Sequence, residues 1–210
     1  MFKHEFIEIG GIKWATMNVG AHSVTDYGLF FQWGDVKGYT KEQVENGNKL
    51  FWWNDYKFTP NGFILNENKH YGLTKYTNAD GLKVLEPFDD AAHMTWLGRW
   101  RIPTDKEFMI LKEATTSVFV KDYEGSGVAG LVLTSKSDLS KKLFFPAAGN
   151  CTHGIVDTVS YNGSYWSSSI SRYNIMSASH FVFLRGTTYW CYFTRNRCDG
   201  LTVRPVLADE

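Results

Sequence analysis

Residues 100–107 of this 210-residue chain read WRIPTDKE, and the centre of the fold follows from them. Thr104 and the glutamate that ends the stretch have the spacing of a capping box, in which two side chains bond the free backbone N–H groups at a helix start. Apolar side chains then follow at Phe108 and Leu111, with Ile110 as a further candidate for the buried stripe. The pattern therefore predicts a helix that begins after Thr104.

A second helix is predicted a few residues upstream. Asp89 and Asp90 place negative charge at the start of residues 91–97, where it interacts favourably with the helix dipole. Gly98 follows directly, and a glycine is the usual residue at a helix C-terminus. Two helices thus occupy the middle of the chain.

Short β-strands are predicted on both sides of these helices. Gly10-Gly11 separates residues 6–9 from 12–15, which is typical of a hairpin, and residues 27–34 form a glycine-bounded aromatic strand. The polar stretch 37–80 is expected to form long surface loops. The strands predicted after the helices are 131–134, 143–145, 179–185, 188–193 and 202–206.

This order of elements favours one α+β domain over residues 1–210, because a parallel α/β sheet would alternate strands with helices. The net charge is +0, so no electrostatic footprint for nucleic acid is expected. No apolar run reaches the length of a membrane span, so no membrane insertion is expected, and the start of the chain does not read as a signal peptide. Localisation and oligomeric state are left open.

Several motifs occur in an order that resembles a known family. They are Trp14-Ala15-x-x-Asn18-Val19-Gly20, Tyr27-Gly28-x-x-Phe31-x-Trp33-Gly34, Asp90-Ala91-Ala92, Trp100-Arg101-Ile102-Pro103-Thr104-x-x-Glu107, residues 143–149 (LFFPAAG), residues 163–168 (GSYWSS) and Arg197-x-x-Gly200-x-x-Val203-Arg204-Pro205-Val206. The chain resembles the major paralogous domain of Fibrobacter and Bacteroidetes proteins, over nearly its whole length. That resemblance implies a C-type lectin-like fold of the formylglycine-generating-enzyme variant, with two helices and short antiparallel strands.

The same pattern is similar to the variable proteins of diversity-generating retroelements in gut bacteria and their phages. In that group the final 40-odd residues are rewritten at template adenines, mostly in Asn codons, while the scaffold stays fixed. The resemblance implies a binding module, not an enzyme, that displays residues 165–206 to an unknown protein or cell-surface ligand. It also implies a carrier that is a phage virion or a cell surface, and it requires no metal or other cofactor.

The composition of residues 165–206 fits this interpretation. The stretch contains no Lys, Glu or Gln, and every basic side chain in it except His180 is an Arg. Alternation along a strand places Phe181 and Phe183 on one face, so that His180, Val182 and Leu184 are expected on a displayed face. The predicted ligand-binding positions, all reachable from an Asn codon by changes at adenines, are Arg172, Tyr173, Asn174, Ile175, His180, Val182, Leu184, Tyr189, Cys191, Tyr192, Phe193 and Arg195.

The remaining marked residues are expected to be structural. Arg101 and Arg204 are predicted to anchor the core through charge-assisted hydrogen bonds. Tryptophans beside glycines in such motifs are predicted to be core; they are Trp14, Trp33, Trp100 and Trp166. The tripeptide Trp53-Asn54-Asp55 occurs near the calcium site of calcium-dependent lectins, but no Glu-Pro-Asn or Gln-Pro-Asp partner accompanies it here, so it is interpreted as chance.

Two alternative functions stay open at this point. One is a non-diversified adhesion or carbohydrate-binding domain on the same fold. The other is a copper-dependent oxidase of the formylglycine-generating type, because a thiolate pair binds Cu(I) and the chain carries Cys191 and Cys198. A disulfide between these two cysteines is conceivable, although three widely spaced cysteines favour free thiols.

Overall fold

The computed structural model describes residues 4–62, 72–186 and 191–209, and these form a mixed α+β structure. The α-helices are α1 (Lys41–Glu45), α2 (Ala91–Trp96) and α3 (Asp105–Ala114). The strands are β1 (Phe6–Ile9), β2 (Ile12–Ala15), β3 (Trp100–Arg101), β4 (Thr115–Val120), β5 (Gly130–Ser135), β6 (Lys142–Pro146), β7 (Asn150–Thr152), β8 (Ile155–Asp157), β9 (Asn162–Ile170), β10 (Ser177–Leu184), β11 (Cys191–Asn196) and β12 (Val206–Leu207). None of the described helices is both long enough and apolar enough to cross a membrane.

The strands form small sheets, and every pairing between named strands in the described residues is antiparallel. The sheet with the order β1-β2-β12-β3 joins the two ends of the chain, since Val206 on β12 pairs with Trp14 on one side and Arg101 on the other. Further sheets have the orders β11-β10-β9, β4-β5-β6 and β7-β8. Residues 165–206 therefore contribute to two sheets, because β9, β10 and β11 form one of them and Val206 belongs to another.

The local predictions around the two helices and the hairpin are confirmed. Gly10 and Gly11 connect β1 to β2 with φ of 63° and 74°, a region that glycine enters without a steric penalty. The Asp90 carboxylate accepts hydrogen bonds from the first turn of α2, and Thr104 and Glu107 form the capping box of α3. Ile110 does not join the buried stripe of α3, because 41% of its surface is exposed.

The prediction that residues 37–80 form surface loops holds for much of the described stretch, which is irregular and exposed, but it is wrong for the aromatic side chains. Large aromatic side chains in this stretch are buried, namely Phe51, Trp53, Tyr56, Phe58 and Tyr76. Helix α1 also lies here, with a capping box between Thr40 and Gln43 that the sequence analysis overlooked. The stretch contributes core side chains between polar residues without a regular period, so hydropathy patterning gave no signal for it.

Two other strand predictions need correction. Residues 27–34 do not form a strand, and only isolated bridges occur there, at Phe30 and Phe31. The last strand is β12, so of residues 202–206 only Val206 belongs to it. The strand predicted over 188–193 is observed as β11 from residue 191 onward, and residues 188–190 lie outside the described part of the chain.

The sheet β11-β10-β9 lies between two hydrophobic cores. Tyr165 on β9 belongs to a core with Phe108 of α3 and Phe181 of β10, whereas its neighbour Trp166 belongs to a second core with Trp33. Adjacent residues of one strand point to opposite faces of its sheet, so both faces of β9 are covered by protein. The predictions for the motif tryptophans are confirmed, because Trp14, Trp33, Trp100 and Trp166 are all buried.

Candidate functional site

The most exposed part of the predicted binding stretch is the loop that connects β9 to β10. Arg172, Tyr173 and Asn174 are exposed, Tyr173 to 94% of its surface, and Ile175 is half-buried. The backbone of this loop is held by short-range hydrogen bonds. Ser171 Oγ accepts from the N–H groups of residues 173 and 174, and Asn174 Oδ1 accepts from the N–H of residue 176. The four predicted positions 172–175 therefore form one segment held by hydrogen bonds, called the ridge below.

A buried arginine fastens this loop to the core. Arg197 Nη1 donates to the carbonyl oxygen of Ile175 at 3.0 Å, and its Nη2 donates to that of Lys75 at 3.0 Å. Its Nε donates to the hydroxyl of Tyr56 at 2.9 Å. The guanidinium carbon lies 4.9–5.8 Å from the centroids of four aromatic rings, those of Trp33, Tyr56, Phe58 and Tyr76. Aromatic faces and carbonyl oxygens together compensate the burial of this charge.

Two clefts flank the ridge. The larger has a volume of about 580 Å³ and the smaller about 360 Å³. Arg172 and Tyr173 line both clefts. Asp105 and Lys106, from the first turn of α3, also line both. The volumes fall in or near the range of small-molecule sites, which is about 300–1,000 Å³.

The walls of the larger cleft are held to β9 by backbone and side-chain hydrogen bonds. Ile170 N–H donates to the carbonyl oxygen of Lys83 at 3.0 Å, and Val84 forms an antiparallel bridge with Ser169. On the other wall, the N–H of Asp105 donates to Ser169 Oγ at 3.2 Å, and that hydroxyl donates to the Asp105 carboxylate at 3.1 Å. The cleft is consequently built on strand and helix ends fixed in position.

A second exposed part of the predicted surface lies on β11. Phe193 is 53% exposed. Arg195 is half-buried and donates from Nε to Asp199 Oδ2 at 2.9 Å and from Nη2 to Asn150 Oδ1 at 2.5 Å. Arg195 therefore contributes to the scaffold as well as to the surface, since its guanidinium joins β11 to β7.

The prediction that His180 and Val182 are displayed is wrong. Only 6% and 8% of their respective surfaces are exposed, and Leu184, at the strand end, is half-buried. The alternation itself is correct, because Phe181 and Phe183 do face one core. The opposite face is covered as well: His180 pairs across the sheet with Trp166, which belongs to the other core.

Burial of His180 has an electrostatic consequence. Desolvation, with a smaller contribution from the charge of Arg195, lowers the pKa of His180 to about 4. Among the described residues, no group forms a hydrogen bond with its buried Nδ1. The imidazole is therefore neutral in the folded protein at physiological pH.

Three predicted positions fall wholly or partly outside what the structure describes. Tyr189 lies outside the described residues. Cys191 and Tyr192 are described only as backbone in β11, where they pair with Val182 and Phe181 of β10. Cys198 is a free, buried thiol, and burial raises the pKa of that thiol well above its usual value.

The residues that were predicted to be structural have structural contacts. Arg204 is fully buried and donates to Asn18 Oδ1 and to backbone carbonyl oxygens, including that of Phe144 at 2.9 Å. Arg101 forms a bidentate ion pair with Glu107. The carboxylate of Asp55, in the tripeptide shared with calcium-dependent lectins, accepts from the N–H of Trp52 and from neighbouring groups, so it closes a turn.

The cleft residues outside 165–206 were not predicted from the sequence. Lys83, Asp105 and Lys106 are the charged ones. Asp105 and Lys106 directly follow the capping residue Thr104, so the sequence already placed them in the first turn of a helix. Side chains in that turn lie close to any group that binds near the helix N-terminus. No local signal exists for Lys83, whose place depends on the pairing of its segment with β9. Comparison with protein-family models, with curated proteins and with solved structures finds no match for this chain.

Proposed function

We propose that this protein is a ligand-binding module with a C-type lectin-like fold of the formylglycine-generating-enzyme variant, diversified by a retroelement. Its binding surface is the ridge of residues 172–175 with Leu184 at the end of β10 and with Phe193 and Arg195 of β11. The order of the sequence motifs and the mixed α+β architecture support the assignment of the fold. One observation carries the functional proposal: within residues 165–206, short, mostly exposed segments at 172–174 and 193–196 lie between long runs of buried side chains.

The exposed members of that stretch have the properties of a binding surface. Tyr173 and Arg172 are of the side-chain types that contribute most to interface free energies, and Phe193 presents aromatic area of a kind enriched at interfaces. The buried members keep the backbone in place, as Trp166 and Arg197 do through the core. Substitution at the exposed positions therefore changes what is displayed while the scaffold is kept.

The proposed surface contains fewer residues than the set predicted from the sequence, because some of the predicted side chains are buried. His180 and Val182 are buried, so a ligand on the surface does not reach them in this conformation. The positions retained in the proposal are those with exposed or half-buried side chains, namely Arg172, Tyr173, Asn174, Ile175, Leu184, Phe193 and Arg195. Asn174 differs from the other ridge residues, because its side chain also accepts a backbone hydrogen bond.

The decisive test compares DNA sequences at the genomic locus. We expect a near-copy of codons 165–206 close to a reverse-transcriptase gene, with mismatches confined to adenines in the repeat. The mismatches should fall on the codons of the exposed positions and spare those of Trp166, Arg197 and Arg204. A genome with neither the repeat nor the reverse transcriptase would overturn the diversification, as would mismatches spread evenly over the buried codons.

A further inference from the structure

The larger cleft beside the ridge combines two kinds of residue. Arg172, Tyr173, Asn174 and Ile175 come from the stretch proposed to vary, and they form its rim. The rest of the lining is not proposed to vary: residues 169–171 are buried at the end of β9, and Asn78, Lys83, Val84, Asp105 and Lys106 lie outside residues 165–206. If the rim residues differ between diversified variants of this protein, called copies below, these other residues are the part of the site that all copies share.

The shared part of the lining is electropositive, because it carries Lys83 and Lys106 against the single carboxylate of Asp105. Arg172 on the rim adds a further positive charge. That carboxylate already accepts a hydrogen bond from Ser169 Oγ and lies 3.7 Å from Arg172 Nη2. It also lies in the first turn of α3, where the helix dipole adds positive potential. The remaining positive charge favours an anionic group in the cleft.

The uncharged lining is suited to hydroxyl groups. Asn78 and Asn174 bring amides, which both donate and accept hydrogen bonds. Ser171 also lines the cleft, and its Oγ accepts from two backbone N–H groups. Tyr173 presents almost its whole ring to solvent at the edge of the cleft, where it provides a flat apolar surface for the C–H face of a sugar ring.

We propose that this cleft binds an anionic saccharide, carboxylated or sulfated, whose charged group is held by Lys83 and Lys106 and whose remaining groups contact the rim. The inference rests on the proposed function, because it takes the rim as the part that differs between copies. Under it, Lys83 and Lys106 set the chemical class of the ligand, and residues 172–175 select among members of that class.

The first measurement is binding of the full chain to a glycan array that contains carboxylated, sulfated and neutral oligosaccharides. We expect the bound glycans to be anionic, with neutral counterparts of the same backbone bound at least about tenfold more weakly. Added salt should weaken this binding, because the lysines are exposed and their charges are screened. The carboxylated and sulfated arms identify which anion the cleft prefers.

The second measurement is calorimetric titration of the strongest bound glycan with variants. The double variant Lys83→Gln, Lys106→Gln should raise Kd about tenfold. As a control, Lys142→Gln removes a single positive charge from an exposed lysine on β6 that lines neither cleft, and it should leave Kd unchanged. Thermal unfolding of each variant checks that the fold is intact.

Three results would overturn the saccharide inference: no bound glycan, equal binding of neutral counterparts, or an unchanged Kd in the double lysine variant. If the locus shows adenine-directed mismatches but the protein binds no glycan on the array, the saccharide inference is overturned and the proposed function stands. Anionic glycan binding at a locus without a repeat would instead point to a non-diversified carbohydrate-binding domain.

Discussion

The loop at residues 172–175 and the strand β10 were predicted to display ligand-binding side chains for similar reasons, yet they differ in the folded protein. The loop residues Arg172, Tyr173 and Asn174 are exposed, whereas His180 and Val182 of β10 are buried. Both regions lie in the stretch proposed to vary. Their difference is one of position: the loop leaves the sheet, and β10 is its central strand.

Two properties of a strand differ here: which side chains share a face, and whether that face is exposed to solvent. Alternation along the strand predicts the first property, and the prediction is correct for Phe181 and Phe183. It does not state whether the opposite face meets water. Here that face carries Ala178 and pairs with Trp166, both of which lie in the other hydrophobic core.

The largest expected effect comes from placing a charge in each region. Val182→Asp should destabilise the protein by about 4 kcal/mol, because the new carboxylate would be buried without a partner. Tyr173→Asp is the matched control on the ridge and should change the free energy of unfolding by no more than about 0.5 kcal/mol. Urea denaturation measures both, and equal values for the two variants would contradict the contrast between strand and loop.

A smaller effect is expected from acid, through His180. Its folded-state pKa, about 4, is below the value of about 6.5 in the unfolded chain, so the unfolded state binds the proton first as pH falls. The folded protein should therefore lose about 2–3 kcal/mol between about pH 7.5 and pH 4.5, and none of this on going to higher pH.

The variant His180→Phe isolates this contribution. It removes the titrating group and leaves every other ionisable residue unchanged, so its free energy of unfolding should fall less steeply with acid than that of the natural protein. The difference between the two pH profiles, measured by urea denaturation, gives the contribution of His180. Parallel profiles would show that the imidazole is accessible to protons and to solvent.

The smallest effect concerns the loop itself. Asn174→Ala should cost about 1 kcal/mol, because the N–H of Met176 loses its side-chain acceptor. Asn174→Asp keeps an acceptor oxygen at that position and should cost less. If alanine and aspartate give the same free energy of unfolding, the hydrogen bond does not hold the ridge, and all four ridge positions are then equivalent for display.

Local patterns in the sequence predicted the parts of the fold that depend on near neighbours. Thr104 and Glu107 cap α3 through a spacing of three residues, and Gly10-Gly11 turns the first hairpin. The aromatic side chains of the stretch 37–80 were mispredicted because Phe51 and Tyr76 are drawn into the core by distant partners. For the candidate site, the sequence indicated the ridge, but it gave no indication of Lys83.

The sequence by itself determined the α+β order of elements, the two central helices, the motif tryptophans of the core and the narrow choice of residue types in 165–206. Only the tertiary structure decided which of those residues meet solvent. It covered both faces of β10, fastened the ridge to the core through Arg197 and brought Lys83 and Lys106 beside it. The physical reason is that exposure depends on what packs against a side chain, and here the covering residues lie far away in the sequence.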